Sequence, residues 1–325
     1  MFLPRRDTLE KYQLLAYLAA IATGLLAGQL LPTAATLGER ALWPLLALLL
    51  YSTFTQVPLV ELRRALADRR FIGAAVLGNF VLLPLILWAG LPLLPDEPAL
   101  RLGILLVLLV PCTDWFITFS QLGGGDARRA LAFSPVSLLL QLALLPPYLW
   151  LLLGEPVATA AARQEMLLAF GGLILLPLLA AFITERWVAG ASPRQRLIDR
   201  LAWCPVPLLA LVLLVIAAGQ VQLVSASLGL LPPLAGIYIT FLLLAAGLAR
   251  ALAGAFRLPV AQGRTLAFSL GTRNSFVVLP LALALPPGQE LAVVAIVFQS
   301  LIELLGMVAF LWWIPKQLFP ASAAR

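Results

Sequence analysis

Of the 325 residues, 62% are hydrophobic and 11% charged, there is no histidine, and the formal net charge is +7. Soluble domains carry about 25% charged residues, so a water-soluble globule is excluded. The basic residues fall between apolar runs rather than on one basic face, which excludes a nucleic-acid binder and points to membrane topology.

Apolar runs long enough to cross about 30 Å of hydrocarbon recur at 12–32, 41–60, 71–91, 100–122, 130–153, 166–186, 201–219, 229–249, 264–285 and 291–314. The first follows Arg5, Arg6 and Lys11 as the core of a signal peptide would. It is too long for such a core and many runs follow, so it reads as a retained helix. The expected architecture is therefore an all-α polytopic membrane protein of ten transmembrane helices. One set of loops would then hold eighteen lysines and arginines, among them Arg63, Arg64, Arg69, Arg70, Arg128, Arg129, Arg257 and Arg264. The other would hold Arg40, Arg101 and Arg163. Positive charge accumulates on the cytoplasmic side, so both termini are expected there, in a bacterial inner membrane.

Dividing the chain into 1–155 and 156–325 gives two five-span halves of opposite orientation, an expected inverted repeat within a single transporter domain. The fourth run of each half carries a polar break, Pro111-Cys112-Thr113-Asp114 in one and Gly271-Thr272-Arg273-Asn274 in the other. Pro111 lacks an amide and clashes with the preceding turn. Asp114 lies nine residues before Gly123, and Arg273 nine after Arg264, which brings both to a similar depth near the midplane. Two discontinuous helices meeting in mid-membrane are the expected working site.

An ionised group at the bilayer centre costs about 2.5–3.5 kcal/mol on insertion scales, so each needs a partner or a purpose. Three lie deep: Asp114, Arg273 and Glu303. Asp114 and Arg273 read either as a gate or as an ion pair locking two helices. Cys112 is either a soft ligand for a soft centre such as trivalent arsenic, or a small packing residue, and Cys204 reads as packing. Glu303, one turn after Gln299, is a proton relay or a neutral acid bonded to that amide or to another helix. Thr113, Thr272 and Asn274 complete the expected substrate site. Asn79, Ser134, Ser137, Gln141, Ser269, Ser275 and Gln299 are expected to line a cavity, or else to bond helix to helix. The run Gly123-Gly124-Gly125 lacks the lysine of a phosphate loop and reads as a turn. With no catalytic triad, metal-ligand cluster or nucleotide motif, neither an enzyme nor a cofactor or metal is expected.

At Pro111-Cys112-Thr113, at Gly125-Asp126 and at Gly271-Thr272-Arg273-Asn274-Ser275-Phe276 the sequence resembles the bile acid:sodium symporter superfamily, and within it the arsenite-exporter branch. The resemblance implies a panel of the first, second, sixth and seventh spans and a core of the others, with the fourth and ninth crossing at unwound centres. It implies that Cys112 is the metalloid-binding thiol and that trivalent arsenite or antimonite leaves by exchange with protons. Val277 and Val278 stand where that branch carries a glutamate, a departure that counts against proton coupling unless Asp114 or Glu303 has taken over that role. The sodium-coupled branch holds sodium with a glutamine and an acidic residue, which align here with Arg273 and Ser269, and a fixed positive charge repels that ion. Arg273 also supports an alternative, an organic-anion transporter with this guanidinium as the clamp. The expected partners are a small solute (metalloid oxyanion or organic anion), protons and the bilayer, without nucleic acid and without a defined oligomeric state.

Overall fold

The computed structural model describes residues 6–30, 32–58, 68–153, 168–189, 194–219, 221 and 227–320. Arg5, Arg63, Arg64, Arg163 and Arg325, and the division expected after residue 155, lie outside them. The described chain forms α1 (Arg6–Leu30), α2 (Pro32–Phe54), α3 (Arg69–Leu93), α4 (Pro98–Leu108), α5 (Trp115–Leu122) and α6 (Ala127–Leu153). Then come α7 (Phe170–Ala189), α8 (Gln195–Gly219), α9 (Leu228–Ala255), α10 (Val260–Gly271), α11 (Ser275–Leu283) and α12 (Leu291–Leu318).

The expected ten spans in a five-plus-five inverted repeat are corrected by the lengths of these helices. Among the described residues six helices, α3, α6, α7, α8, α9 and α12, are long and apolar enough to cross a membrane. The runs at 100–122 and 264–285 are each cut in two, into α4 with α5 and α10 with α11, and these pieces are 8 to 12 residues long. At about 1.5 Å per residue none of them covers the hydrocarbon alone. The apolar stretches of α1 and α2, Leu15–Leu30 and Ala41–Phe54, are shorter than 18 residues as well. Counting apolar letters takes a broken or short run for a complete span.

Contacts divide the chain into two compact units. The first comprises Met1–Gln56, Ala161–Leu231 and Leu283–Leu285, and so holds α1, α2, α7 and α8. Gly24 and Gly28 of α1, one turn apart, lie on the carbonyls of Leu214 and Ala218 in α8, where a Cβ at either glycine would overlap backbone. Small residues at this spacing let membrane helices approach closely. The Tyr51 and Thr184 hydroxyls join α2 to α7 at 2.9 Å.

The second unit comprises Val57–Ala160, Pro232–Ala282 and Pro286–Arg325, and holds the broken helices. Its α3 opens into a wide turn at Gly78–Leu82. Pro84 has no amide to give the carbonyl four residues back, and the Tyr148 hydroxyl of α6 donates to that Phe80 carbonyl instead. The widened turn carries the buried Asn79. Gly103 of α4 meets α12 so closely that a Cβ would stand 2.6 Å from the Ala292 carbonyl oxygen.

One end of this unit gathers the start of α3, the α5–α6 and α9–α10 turns and the end of α12. Asp68 caps α3 through the Phe71 amide (3.2 Å), pairs with Arg129 (2.9 Å) and accepts from Gln262 (3.3 Å). Arg264 donates to the Gly124 and Phe319 carbonyls at 3.1 and 3.0 Å. The glycine run is a turn whose Gly124 has φ +67°, a conformation that glycine adopts without a Cβ penalty.

Candidate functional site: the crossing of two broken helices

The chain leaves α4 at Leu108 and enters α5 at Trp115, and Pro111 lies in the interval with no amide to continue a helical ladder. The second break runs from Gly271 to Ser275, with Thr272 extended at φ −102°, ψ 141°. The two extended segments lie antiparallel, with Pro111 opposite Arg273. The Cys112 amide donates to the Thr272 carbonyl at 3.1 Å, and the Asn274 amide donates to the Val110 carbonyl at 2.8 Å. Each break thus supplies partners that the other's lost helix would have provided.

Side chains close the remaining helix ends. Asp114 accepts from the Trp115 amide at 2.8 Å and caps α5, and the Cys112 thiol donates to the same carboxylate oxygen at 3.1 Å. Asn274 accepts from the Val277 amide at 3.3 Å at the start of α11, and its own amide nitrogen donates to the Thr113 hydroxyl at 3.3 Å. The Thr272 hydroxyl returns to the Phe268 carbonyl at 2.8 Å. Ser134 of α6 donates to the Thr113 carbonyl, which fixes that face of α6 toward the crossing. Trp115 and Phe276, the first or second residues of α5 and α11, meet edge to face with centroids 5.1 Å apart.

Arg273 is 2% exposed. Its Nη2 donates to Asn79 Oδ1 (2.8 Å), the Leu270 carbonyl (2.8 Å) and the Ser269 carbonyl (3.3 Å), and its Nη1 donates to the Leu108 carbonyl (3.2 Å). The guanidinium carbon stands 5.2 Å from the Phe241 ring centroid. Its Nε–H has no hydrogen-bond partner among the described residues. The backbone amide of the same residue donates to Glu303 Oε2 at 2.8 Å, and Gln299 donates to that oxygen at 2.7 Å. Ser275 donates in turn to Gln299 at 3.1 Å, so a polar chain runs from α11 across α12 to the second break.

The residues expected to line a cavity therefore divide. Asn79 reaches the guanidinium and also donates to the Ser269 hydroxyl at 3.2 Å. Ser275, Gln299 and Glu303 form the chain just described. Ser137 and Gln141 continue the Ser134 face of α6, buried, with no partner for the Ser137 hydroxyl or either Gln141 amide atom among the described residues. Sequence reasoning missed the Leu108, Ser269 and Leu270 carbonyls and Phe241. Backbone oxygens have no sequence signal, and one aromatic in an apolar helix is not distinctive.

A polytopic membrane protein with two broken helices crossing over buried charged and polar groups belongs to the class of secondary transporters, where half-helix ends face the solute. Among the described residues no group of three or more histidine, cysteine, aspartate or glutamate side chains is placed to hold a metal ion. The profile described as the Sodium Bile acid symporter family matches residues 43–227, more than half of the chain. The chain belongs to that family, and as a member of a transporter family it is not an enzyme. No curated protein matches the sequence.

Proposed function

We propose that the protein is a secondary transporter of a small organic anion, with the crossing in the second unit as its solute site and Arg273 as the fixed positive charge. The observation that carries this reading is the state of that guanidinium. It is buried, held by four oxygens, and has its Nε–H without a partner among the described residues. A cation fixed before the solute arrives adds attraction without having to be ordered on binding. The N-terminal ends of α5 and α11 add partial positive charge beside it. Family membership supports the same chemistry, since a bile acid is an amphipathic organic anion.

Protons are the proposed coupling ion, taken up by Glu303 or Asp114. Glu303 is 2% exposed and bonded directly to the backbone of the break, so its charge state bears on the geometry of the crossing. The proposed setting is a bacterial inner membrane with cytoplasmic termini. The end of the second unit that holds Arg129 and Arg264 also receives the starts of α3 and α6 and the end of α12, at Arg69, Arg70, Arg128 and Lys316, which supports a cytoplasmic carboxyl terminus.

A second reading, export of trivalent arsenite or antimonite by proton antiport, is supported by Cys112, whose thiol lies at the crossing against Asp114. One assay separates the two. Proteoliposomes of the purified protein are tested for uptake of radiolabelled taurocholate and, separately, of arsenite, under an imposed pH gradient. Pumped taurocholate that survives Cys112→Ser and fails in Arg273→Gln is the expected result. Arsenite flux that Cys112→Ser abolishes, with no taurocholate flux, sinks the organic-anion reading.

A further inference from the structure

Both α4 and α10 run out within the second unit, and a helix that ends there leaves carbonyl oxygens without amide donors and a partial negative charge at its C-terminus. Leu108 is the last residue of α4, and Ser269 and Leu270 lie in the last turn of α10. Their three carbonyls, with Asn79 Oδ1, are the hydrogen-bond acceptors of the Arg273 guanidinium, at 2.8 to 3.3 Å. Among the described residues no carboxylate accepts a hydrogen bond from that guanidinium. Three of the four gather on a single nitrogen, Nη2. Four neutral oxygens from two half-helix C-termini and one amide are the shell in which a broken-helix transporter holds a monovalent metal cation. Ordinary recognition of arginine uses a carboxylate or phosphate fork instead.

We infer that Arg273 is a resident cation: its guanidinium fills a cage whose oxygens would otherwise hold a sodium ion, and the protein therefore runs without sodium. Hydration is already stripped from the group, and the flat face of Phe241 at 5.2 Å suits a delocalised cation better than a point charge. Electrostatics then forbids simultaneous occupancy, because a sodium ion would have to share the same four oxygens with a fixed positive charge. The Nη1–Nη2 side of the guanidinium serves the cage, while the buried Nε–H has no partner among the described residues and is the hydrogen left for a solute, so the two roles do not compete for the same hydrogens. The inference takes from the proposed function only that the crossing is the transport site, and it does not depend on which anion is carried.

Thermal unfolding of the full-length protein in detergent tests it, with wild type and R273A each measured in choline, potassium, sodium and guanidinium chlorides at equal ionic strength. The wild-type midpoint is expected to be the same in sodium, potassium and choline, while R273A is lowered in choline and regains most of the loss in sodium and in dilute guanidinium. Should R273A fail to fold, R273Q, which returns an amide to the shell, is put through the same salts with the same expectation. A wild type stabilised by sodium over choline overturns the inference, and so does a variant that none of these cations restores. Because unfolding needs no solute, either result leaves the organic-anion reading to be judged by flux and by solute binding.

Discussion

The backbone amide of Arg273 donates to Glu303 Oε2 at 2.8 Å, while the guanidinium of the same residue donates to Asn79 Oδ1. The carboxylate thus holds the break itself in place. Glu303→Ala leaves the Arg273 amide and the Gln299 amide nitrogen buried without an acceptor, and each such loss costs about 1–3 kcal/mol. Glu303→Gln retains an acceptor oxygen. Unfolding midpoints should therefore fall well below wild type for the alanine variant and only slightly for the glutamine variant, whose pH-driven flux is lost where Glu303 takes up the proton and kept where Asp114 does. Equal midpoints for the two variants would show that the hydrogen bonds to Glu303 do not hold the break.

Gln141 presents the opposite case. Both of its amide atoms are buried and have no partner among the described residues, on the α6 face that Ser134 directs toward the crossing. Gln141→Leu removes an unsatisfied amide, so stability should rise by about 1 kcal/mol while flux falls if this face lines the solute path. The pair of measurements is a midpoint and an initial rate on the same preparation. A variant both less stable and fully active contradicts this placement.

The second unit depends on close backbone contact at Gly103. A methyl group there would stand 2.6 Å from the Ala292 carbonyl oxygen and 2.7 Å from its Cα, and neither can rotate away. Overpacking of this kind costs about 1–3 kcal/mol. Gly103→Ala should lower the midpoint accordingly, whereas Gly90→Ala, with nothing within 4 Å of the added Cβ, should not. Indistinguishable curves would mean that α4 and α12 are not in this contact.

At the basic end, Asp68 combines a helix cap with an ion pair to Arg129, a residue whose side chain is 38% exposed. An exposed pair contributes about 0–1 kcal/mol, and a lost cap costs about 0.5–2 kcal/mol. Asp68→Asn keeps the capping oxygen and removes the charge, so it should be the milder of the two changes beside Asp68→Ala. Salt should narrow the gap between wild type and Asp68→Asn but leave the gap between the two variants. Denaturation at low and high ionic strength checks both.

The breaks themselves were legible in the sequence, because Pro111 and the step Thr272-Arg273-Asn274 interrupt runs that are otherwise apolar. Their meeting is seen in the antiparallel pairing of Pro111 with Arg273. The partner of the guanidinium was not legible. Asp114 is the nearest acidic residue by depth, but its carboxylate caps α5, while the carbonyls at the ends of α4 and α10 attract the positive charge. Helix-end carbonyls acquire their charge from the backbone break and not from the residue type. Glu303 and Gln299 were readable as one face of a helix, and they do bond at 2.7 Å. Hydropathy overcounted spans for a related reason: an apolar run with a polar break looks continuous to a composition window, although the backbone there forms two short helices.

Equilibrium binding of radiolabelled taurocholate to the detergent-purified protein tests the central role of Arg273 most directly, since binding requires neither a gradient nor a coupling ion. Wild type and Cys112→Ser should bind alike, and Arg273→Gln should bind at least tenfold more weakly, the equivalent of about 1.4 kcal/mol. Undiminished binding by a folded Arg273→Gln protein, or binding lost only with Cys112→Ser, would contradict the assignment of Arg273 as the anion's fixed charge.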